Sequence, residues 1–318
     1  MKVWRKGIRD KVSVSELLDL EDCKKIFEFN TRPVVFTDYS QSTVLKTSLQ
    51  TVQNLYTSNV YTENIAQLFL NNYLSNNNYL GFKYSLSEYF SEEAELATSS
   101  YASIEEFEKD TIKLPSPKNI KATLSKCIEL RRSCRQFSDS RMSQQTLANI
   151  LYHSCGVSRC FEDEQAKQKL ILRNCGSAGG LYPVYLIIYC HNVESLEDGF
   201  YKYFPHSHAL FPMMKVKDES VRDFAEFGYI NAEDSNLIIL YIYDYLKNTK
   251  KYGTQGTAYA FIEAGEIAQN IHLAATGLLY GSIDIGGYNK EYLEKHLNLN
   301  VNLEHVIHMT VVGRSVDS

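Results

Sequence analysis

A cluster of guanidinium groups is the first feature of this sequence that could do chemistry. Three arginines and a serine fall within five residues, at Arg131, Arg132, Ser133 and Arg135. Arginine presents planar donors that match phosphate oxygens in pairs, and a serine hydroxyl can add a hydrogen bond. The cluster therefore fits a bound phosphate. It also fits a solvated basic end of the preceding predicted helix, which the helix dipole favours.

A glycine-rich turn is the second such feature. Ser177, Ala178, Gly179 and Gly180 precede Pro183 and an apolar run. Adjacent glycines permit positive φ and close approach of a flat ligand, and a proline leaves no N–H unpaired where a strand begins. The turn therefore fits a bound ring system. A plain turn before a buried strand is the commoner use of such a sequence, and the spacing of dinucleotide and phosphate-binding loops is absent.

Hydrophobic patterning indicates which elements must position these groups. Helices are predicted over residues 121–132, 143–152 and 260–279, and strands over residues 184–190, 237–243, 281–285 and 306–312. The chain from about residue 120 onward thus alternates strands with helices, and each motif lies at an element end.

The helix predicted over residues 260–279 should be buried most of the way round. Apolar residues recur three and four apart, at Phe261, Ala264, Ala268, Ile271, Ala275 and Leu278, and small residues occupy much of the remaining surface. Such a helix must be covered on most sides. We expect the sheet on one side and a second helix, from a homodimer mate, on the other.

The first third of the chain has a different composition. Residues 1–115 are rich in Ser, Thr, Asn and Tyr, with helical patterning around residues 15–29 and 60–74 and without a glycine-rich motif. The Leu-Pro-Ser-Pro run at residues 114–117 rejects helix and indicates a boundary. We therefore expect an N-terminal accessory region over residues 1–115 and a second domain over residues 116–318.

Charge and hydropathy exclude some partners. The net charge of −5 offers no global attraction to nucleic acid or anionic membrane, and the longest apolar runs fall far short of a membrane span. The basic start lacks the apolar region of a secretory signal. We expect no nucleic acid partner and no membrane insertion.

Cysteine and histidine spacing is not that of a metal or disulfide site. Seven cysteines without a Cys-x-x-Cys pair indicate reduced thiols in a cytoplasmic protein, and small core side chains are favoured over a Cys155–Cys160 redox pair. His206 and His208 lack flanking ligands, which favours a hairpin with a structural histidine. No metal site is predicted, and no histidine shows the partner pattern of a hydrolytic triad.

The order of the motifs resembles that of the nitroreductase-like flavoproteins. An Arg-Arg-Ser-x-Arg helix end is followed by a Ser-Ala-Gly-Gly-Leu-Tyr-Pro turn, a helix with Gln269 and Asn270, an Ile-Gly-Gly turn at Gly286 and Gly287, and a final Val-Gly-Arg strand at Arg314. Within this group, the chain resembles the SagB-type dehydrogenases of thiazole/oxazole-modified peptide pathways. The resemblance covers roughly residues 120–315.

The resemblance implies an α+β fold with a central, mostly antiparallel sheet flanked by helices. It also implies FMN at a homodimer interface, with the phosphate near Arg131, Arg132, Ser133, Arg135 and Arg314. The turn from Ser177 to Gly180 would border the flavin ring, and Gln269, Gly286 and Gly287 would belong to the same site. Such enzymes bind and orient a cofactor that carries the redox chemistry.

The resemblance also implies a Lys-Tyr pair shortly before the helix that carries Gln269. Three Lys-Tyr pairs occur, and position selects Lys251-Tyr252 over Lys83-Tyr84 and Lys202-Tyr203. A free tyrosine has a pKa of about 10, which a neighbouring ammonium can lower. We expect Tyr252 to take the Cα proton of an azoline, assisted by Lys251. The alternative is a surface pair in a Lys-rich loop over residues 247–251.

The implied activity is oxidation of peptide thiazolines and oxazolines in maturation of a bacteriocin or cytolysin. Its partners would be a precursor peptide, a cyclodehydratase that makes the azolines, and molecular oxygen to reoxidise the flavin. Two alternatives remain open. One is a stand-alone NAD(P)H-dependent nitroreductase or flavin reductase, and the other is a non-catalytic flavin-binding scaffold of a cyclodehydratase complex.

Overall fold

A computed structural model describes residues 34–38, 41–45, 69–70, 110–163, 168–215, 221–225 and 227–316. The chain divides into two compact units, Met1–Ser75 and Asn76–Ser318. In the first unit, strands β1 (Val34–Asp38) and β2 (Gln41–Leu45) pair as an antiparallel hairpin. The helix predicted around residues 15–29 lies outside the described residues, as does that around residues 60–74 except for helical residues 69–70.

An eight-stranded sheet is the frame of the second unit. Its strands are β3 (Ile112–Lys113), β4 (Phe137–Ser138), β7 (Val184–Cys190), β8 (Gly199–Phe204), β9 (Ala209–Lys215), β10 (Leu237–Asp244), β11 (Gly281–Ile285) and β12 (Glu304–Ser315). The spatial order is β11, β12, β10, β7, β8, β9, β3, with β4 beside β12. All its strand pairs are antiparallel, as expected. Strands β5 (Val157–Asp163) and β6 (Gln168–Arg173) form a separate antiparallel ribbon that leads into the glycine-rich turn.

Helices cover both faces of this sheet. They are α1 (Leu124–Leu130), α2 (Gln144–Cys155), α3 (Tyr245–Tyr252), α4 (Gln255–Gly277) and α5 (Lys290–His296). Alternate residues of β10 point to opposite faces, so one half packs in a core with α2 and α4 and the other half in a core with α5. Among the described residues, no helix is long and apolar enough to cross a bilayer.

The predicted strands over residues 184–190 and 281–285 have the bounds that the structure shows, because apolar runs end at turn residues there. Helix α2 begins where predicted, since the Ser143 hydroxyl accepts a hydrogen bond from the Thr146 amide at 3.1 Å.

One expectation was wrong in detail. The Lys-rich stretch is a helix rather than a loop, because the Asp244 carboxylate caps its first turn and Gly253 ends it. On α4, Phe261 and its neighbour Ile262 are 53% and 58% exposed in the single chain, so they lie on the side that the sheet does not cover.

Candidate active site

The glycine-rich turn connects β6 to β7 in a tightly pinned conformation. Gly179 and Gly180 have φ of +63° and +67°, and Tyr182 has φ of +48°. The Ser177 hydroxyl accepts a hydrogen bond from the Tyr182 amide at 2.8 Å, and the Tyr182 hydroxyl accepts one from the Arg173 amide at 2.9 Å. The Arg173 guanidinium also lies 4.6 Å from the centre of the Tyr182 ring. A non-glycine residue persists in this left-handed region only where its surroundings hold it.

Two carboxylates of α4 hold the ends of this turn. The Gly176 amide donates to Glu266 Oε2 at 2.7 Å, and the Val184 amide donates to Glu263 Oε1 at 3.1 Å. A Cβ at residue 176 would lie 2.5 Å from the same Glu266 oxygen, so a larger residue there would displace this carboxylate from its present position. The turn is therefore fixed to the helix at both ends.

The Lys-Tyr pair selected by position lies against the apex of this turn. An ideal Cβ built on Gly179 would touch the Tyr252 hydroxyl and would lie 2.9 Å from Lys251 Nζ. Lys251 Nζ lies 5.5 Å from the centre of the Tyr252 ring, and Tyr259 packs edge-on against Tyr252. Two motifs more than 70 residues apart in sequence thus meet at one glycine.

Three charged groups lie close together behind the turn, where Glu263 is buried and Arg173 and Lys247 are half-buried. Burial raises the pKa of Glu263 to about 7, against hydrogen bonds from Ser177 and Val184 and the nearby charges of Arg173 and Lys247. Burial also lowers the pKa of Lys247 to about 8, and Arg173 adds to this effect. Lys247 precedes Lys251 by one helical turn, so both side chains lie on the same side of α3.

The raised pKa of Glu263 has a measurable consequence for stability. A carboxyl group whose pKa rises on folding from 4.5 to about 7 contributes stability that is present below pH 4.5 and is lost as pH rises through 7. Relative to Glu263→Gln, the wild type should lose about 3 kcal/mol of unfolding free energy between pH 4.5 and pH 8. Urea unfolding of both proteins across this range measures it, and parallel pH dependences would contradict it.

The arginine cluster lies at the other end of the sheet. The Cys134 amide donates to the Ser282 carbonyl at 3.0 Å, and Ser133 forms an isolated parallel bridge with Ser282. A Cβ on Gly281 would lie 2.5 Å from the Cys134 side chain, which explains a glycine there. Arg314 pairs with Ser138 of β4 near the end of β12. The structure therefore places Ser133 and Cys134 beside β11, which in turn pairs with the terminal strand.

Individual arginines of the cluster have different surroundings. Arg131 is the residue that ends α1. Arg132 Nη1 donates to the carbonyls of Glu129 and Arg131 at 2.8 and 2.7 Å. It therefore supplies hydrogen bonds to carbonyl groups at the C-terminal end of α1. Arg135 Nε donates to the Tyr229 hydroxyl at 3.0 Å. Tyr229 is a neighbour of the cluster that the sequence did not indicate.

Strand register separates the two parts of the predicted site within one chain. The arginine cluster adjoins Gly281 of β11, which pairs with Gly313 of β12. The turn leads into Val184 of β7, which pairs with Tyr243 of β10. Tyr243 in turn pairs with His305 of β12. Positions 313 and 305 are eight residues apart on β12, or roughly 25 Å. Of the remaining predicted residues, Gln269, Gly286 and Gly287 are exposed, and Ala178 is half-buried beside Gly179.

A Ser-His-Asp arrangement is present that sequence spacing did not reveal. His272 of α4 contacts the Ser282 hydroxyl at 2.7 Å and Asp284 at 3.0 Å, and His308 contacts Asp284 at 3.1 Å. Burial would raise the pKa of Asp284, but hydrogen bonds from His272, His308 and Thr310 outweigh it and hold that pKa well below its usual value. Ser282 is 2% exposed, so the arrangement joins α4 to β11 rather than presenting a nucleophile.

Other predicted features are confirmed in the structure. Residues 199–215 form the expected hairpin, in which His208 Nδ1 hydrogen bonds the Tyr203 hydroxyl at 2.9 Å. The Lys202-Tyr203 pair lies on β8, with Lys202 Nζ 4.3 Å from the Tyr185 ring centre.

Four cysteines are buried as expected, whereas Cys134 is half-buried and Cys160 is exposed, so the core interpretation is wrong for these two. Cys23 lies outside the described residues. The described part of the chain contains no group of side chains arranged to hold a metal ion.

Comparison with known proteins gives four findings. The sequence profile of the Nitroreductase family matches residues 128–314. A provisionally named nitroreductase of Methanocaldococcus jannaschii, MJ1384, is 26% identical over 211 residues, which are 65% of this chain and 99% of that protein. A crystal structure of a provisionally named nitroreductase from Ralstonia eutropha JMP134 has a TM-score of 0.54 at 21% identity, covering 65% of this chain and 90% of that one, which shows the fold.

A chain of the E. coli microcin synthetase McbBCD complex, solved with truncated pro-MccB17 bound, is also similar. It is 21% identical, with 67% of this chain and 80% of that chain covered and a TM-score of 0.47. At that score the likeness carries no argument about function.

Proposed function

Since this chain belongs to the nitroreductase family, whose members are FMN-dependent oxidoreductases, we propose that it oxidises peptide thiazolines and oxazolines to thiazoles and oxazoles. One observation carries the proposal. Lys251 Nζ and the Tyr252 hydroxyl both lie against Gly179, at the apex of a turn suited to a flat ring. A general nitroreductase or flavin reductase has no need of a Lys-Tyr pair at that point.

The residues at the two ends of the sheet fit FMN. No described atom lies within 4 Å of an ideal Cβ on Gly180 or on Gly286, so a ring could approach both backbones. Arg131, Ser133, Arg135 and Arg314 offer guanidinium and hydroxyl donors for a phosphate. When bound, FMN would accept the hydride that leaves Cβ of the azoline, and molecular oxygen would return it to the oxidised form.

The separation of these two groups supports a flavin site shared by two copies of the chain. The ribityl chain of FMN is too short to join the arginine cluster to the glycine turn of the same chain across roughly 25 Å of β12. A homodimer that faces the turn of one copy toward the arginines of the other removes this difficulty. Exposed Phe261 and Ile262 on α4 supply apolar surface for that interface.

The chain's own residues account for the proton transfer. Aromatising an azoline requires removal of the Cα proton, for which we assign the Tyr252 hydroxyl oxygen as the base. The Lys251 ammonium stabilises the phenolate, and the Tyr259 ring orients Tyr252 by edge contact. The absence of a side chain on Gly179 lets both groups approach the turn.

The flavin part of the proposal predicts unequal roles for neighbouring arginines. Arg131→Ala or Arg135→Ala should weaken FMN binding by about 10- to 100-fold, the value of one or two charge-assisted hydrogen bonds. Arg132→Ala is the matched control: the resemblance included Arg132 in the phosphate cluster, but its guanidinium is bonded to helix carbonyls, so the variant should change affinity little. Titration of apoprotein with FMN measures this. Equal losses in all three variants would contradict the assignment.

Visible spectroscopy and mass spectrometry test the proposed activity. The purified protein should show a flavin spectrum, and an azoline-containing precursor peptide made by a cyclodehydratase should lose two mass units per ring in the presence of oxygen. A protein that carries flavin, leaves the peptide unchanged and consumes NADPH with a nitroaromatic would be a general nitroreductase. A yellow protein inactive in both assays would favour a scaffold in the cyclodehydratase complex.

A further inference from the structure

Both parts of the proposed catalytic site are attached to α4. The Lys-Tyr pair ends α3, which reaches α4 through Gly253 and through Asn248, whose Nδ2 donates to the Gly256 carbonyl at 2.7 Å. The turn with Gly179 is attached to the same helix by Glu263 and Glu266. The position of the Tyr252 hydroxyl relative to the turn therefore depends on these contacts with α4.

The two carboxylates differ in their exposure to water. Glu266 is exposed, whereas Glu263 is 2% exposed and holds the end of the turn where β7 begins. A buried charge is poorly screened and responds strongly to protonation. Of the two contacts, the hydrogen bond from the Val184 amide to Glu263 should therefore change more in strength when the carboxyl group gains or loses its proton.

The groups that face Glu263 come from several elements. They are Ser177 of the turn, Arg173 of β6, Lys247 of α3, Cys155 of α2, and Cys175 and Tyr182 on either side of the turn.

Burial raises the pKa of Cys155 to about 11, that of Cys175 further, and that of Tyr182 above its usual value, so these groups stay neutral near pH 7. Arg173 stays charged. Lys247, which also faces Asp244 and Lys202, loses its proton near pH 8. Between pH 8 and pH 6, Glu263 and Lys247 are therefore the members of this set that change charge, and a Glu263→Gln variant separates their effects.

We propose that Glu263 is a positioning residue for the proton transfer: as a carboxylate it accepts the Val184 amide, holds the end of the turn on α4, and so sets Gly179 against the Tyr252 hydroxyl. This inference rests on the proposed function. An ionised carboxylate accepts stronger hydrogen bonds than a neutral carboxyl group. The fold as a whole is more stable when Glu263 is protonated, because burial opposes its charge, whereas the hydrogen bond from the Val184 amide favours the carboxylate. Protonation therefore weakens this one attachment of the turn while Glu263 stays buried on α4, and it misplaces substrate relative to Tyr252 through the turn alone.

The pH dependence of azoline oxidation tests this role. Wild-type kcat should show a step of about tenfold near pH 7, superimposed on the acid limb that belongs to Tyr252, and KM should change little. Glu263→Gln should lack this step but keep the Tyr252 limb, and at pH 8 its kcat should be about one tenth of the wild-type value. Glu263→Asp, which restores the charge on a shorter side chain, should recover part of the wild-type kcat at pH 8. Glu294→Gln is the matched control.

Glu294 is a suitable control because it is also buried and accepts a strand amide, from Val306 at 3.0 Å, but lies away from the turn. The Glu294→Gln variant should keep the step in kcat near pH 7 that the wild type shows.

Hydrogen exchange supplies a readout that is independent of turnover. In the wild type, amide protection over residues 174–185, corrected for intrinsic exchange, should fall about tenfold as pH drops from 8 to 6. In Glu263→Gln it should be low at both pH values, whereas Glu294→Gln should behave as the wild type.

A Glu263→Gln enzyme with the wild-type pH step and wild-type protection would overturn the positioning role alone. A wild-type enzyme that oxidises no azoline would overturn the proposed function, and the role in its proton transfer with it.

Discussion

Tyr252→Phe is expected to slow azoline dehydrogenation by about 10²- to 10⁴-fold while leaving the flavin bound, because it removes one oxygen atom that we assign as the general base. The ring of residue 252 would keep its edge contact with Tyr259. The variant therefore tests the proton acceptor rather than the packing. The measurement is the rate of loss of two mass units per ring under flavin-saturating conditions.

Lys251 should contribute a smaller effect with a distinct signature. Lys251→Met keeps most of the side-chain length but removes the ammonium that lies near the Tyr252 ring. Loss of this positive charge disfavours the phenolate. The acid limb of the rate profile should therefore move to higher pH, in addition to any fall in its maximum.

Matched substitutions on the same helix separate catalysis from folding. Tyr245→Phe removes a hydroxyl from the first turn of α3, and Lys250→Ala removes an exposed ammonium beside Lys251. Both variants should retain wild-type rates. If Tyr252→Phe retained them as well, another group would have to take the Cα proton, and the Lys-Tyr assignment would be wrong.

The large elements of the fold could be predicted because their sequence patterns are local. The apolar run from Val184 to Cys190 has a proline before it and polar residues after it, and the structure shows a strand with those bounds. The small-residue spacing of α4 likewise predicted a long packed helix. Helix α3 was missed because its sequence is polar, and its conformation depends on Asp244 at its start and Asn248 packed against Gly256.

The candidate site was only partly accessible from sequence. The residue types at the turn and in the arginine cluster indicated a ring and a phosphate, and position selected Lys251-Tyr252. The contacts that organise them span long sequence separations, such as 79 residues between Val184 and Glu263 and 90 between Gly176 and Glu266. The sequence around Glu263 and Glu266 does not distinguish them from solvent-exposed glutamates of a helix. Their contacts with the turn can therefore be recognised only in the folded structure.

The pairing of His272 with Ser282 and Asp284 shows the same limit. The three residues lie on a helix and on the strand after it, and their spacing of 10 and 12 residues matches no local period. Only the packing of α4 on β11 brings them together. A serine next to a histidine and an aspartate is not by itself a nucleophile. Ser282 is buried, so a substrate cannot reach its hydroxyl.

Two adjacent glycines allow the contact at the turn to be separated from backbone strain. Gly179 and Gly180 both have φ near +65°, so alanine at either position carries a similar conformational cost, of order 1 kcal/mol. Only at position 179 would the added Cβ meet Lys251 Nζ, at 2.9 Å, and the Tyr252 hydroxyl. At position 180 no described atom lies within 4 Å of it.

Gly179→Ala should therefore reduce the azoline-oxidation rate by more than about 100-fold, the scale expected when a catalytic group is displaced by an ångström. Gly180→Ala should lower the unfolding temperature to a similar extent and should weaken FMN binding, because its Cβ would enter the space proposed for the ring, but under flavin-saturating conditions it should retain far more activity. Thermal unfolding and single-turnover oxidation, measured on both variants, give the comparison. Equal activities at equal stability would mean that the approach of Lys251 and Tyr252 to the turn is packing without a catalytic consequence. A selective loss in Gly179→Ala would instead tie catalysis to the contact of Gly179 with Lys251 and Tyr252.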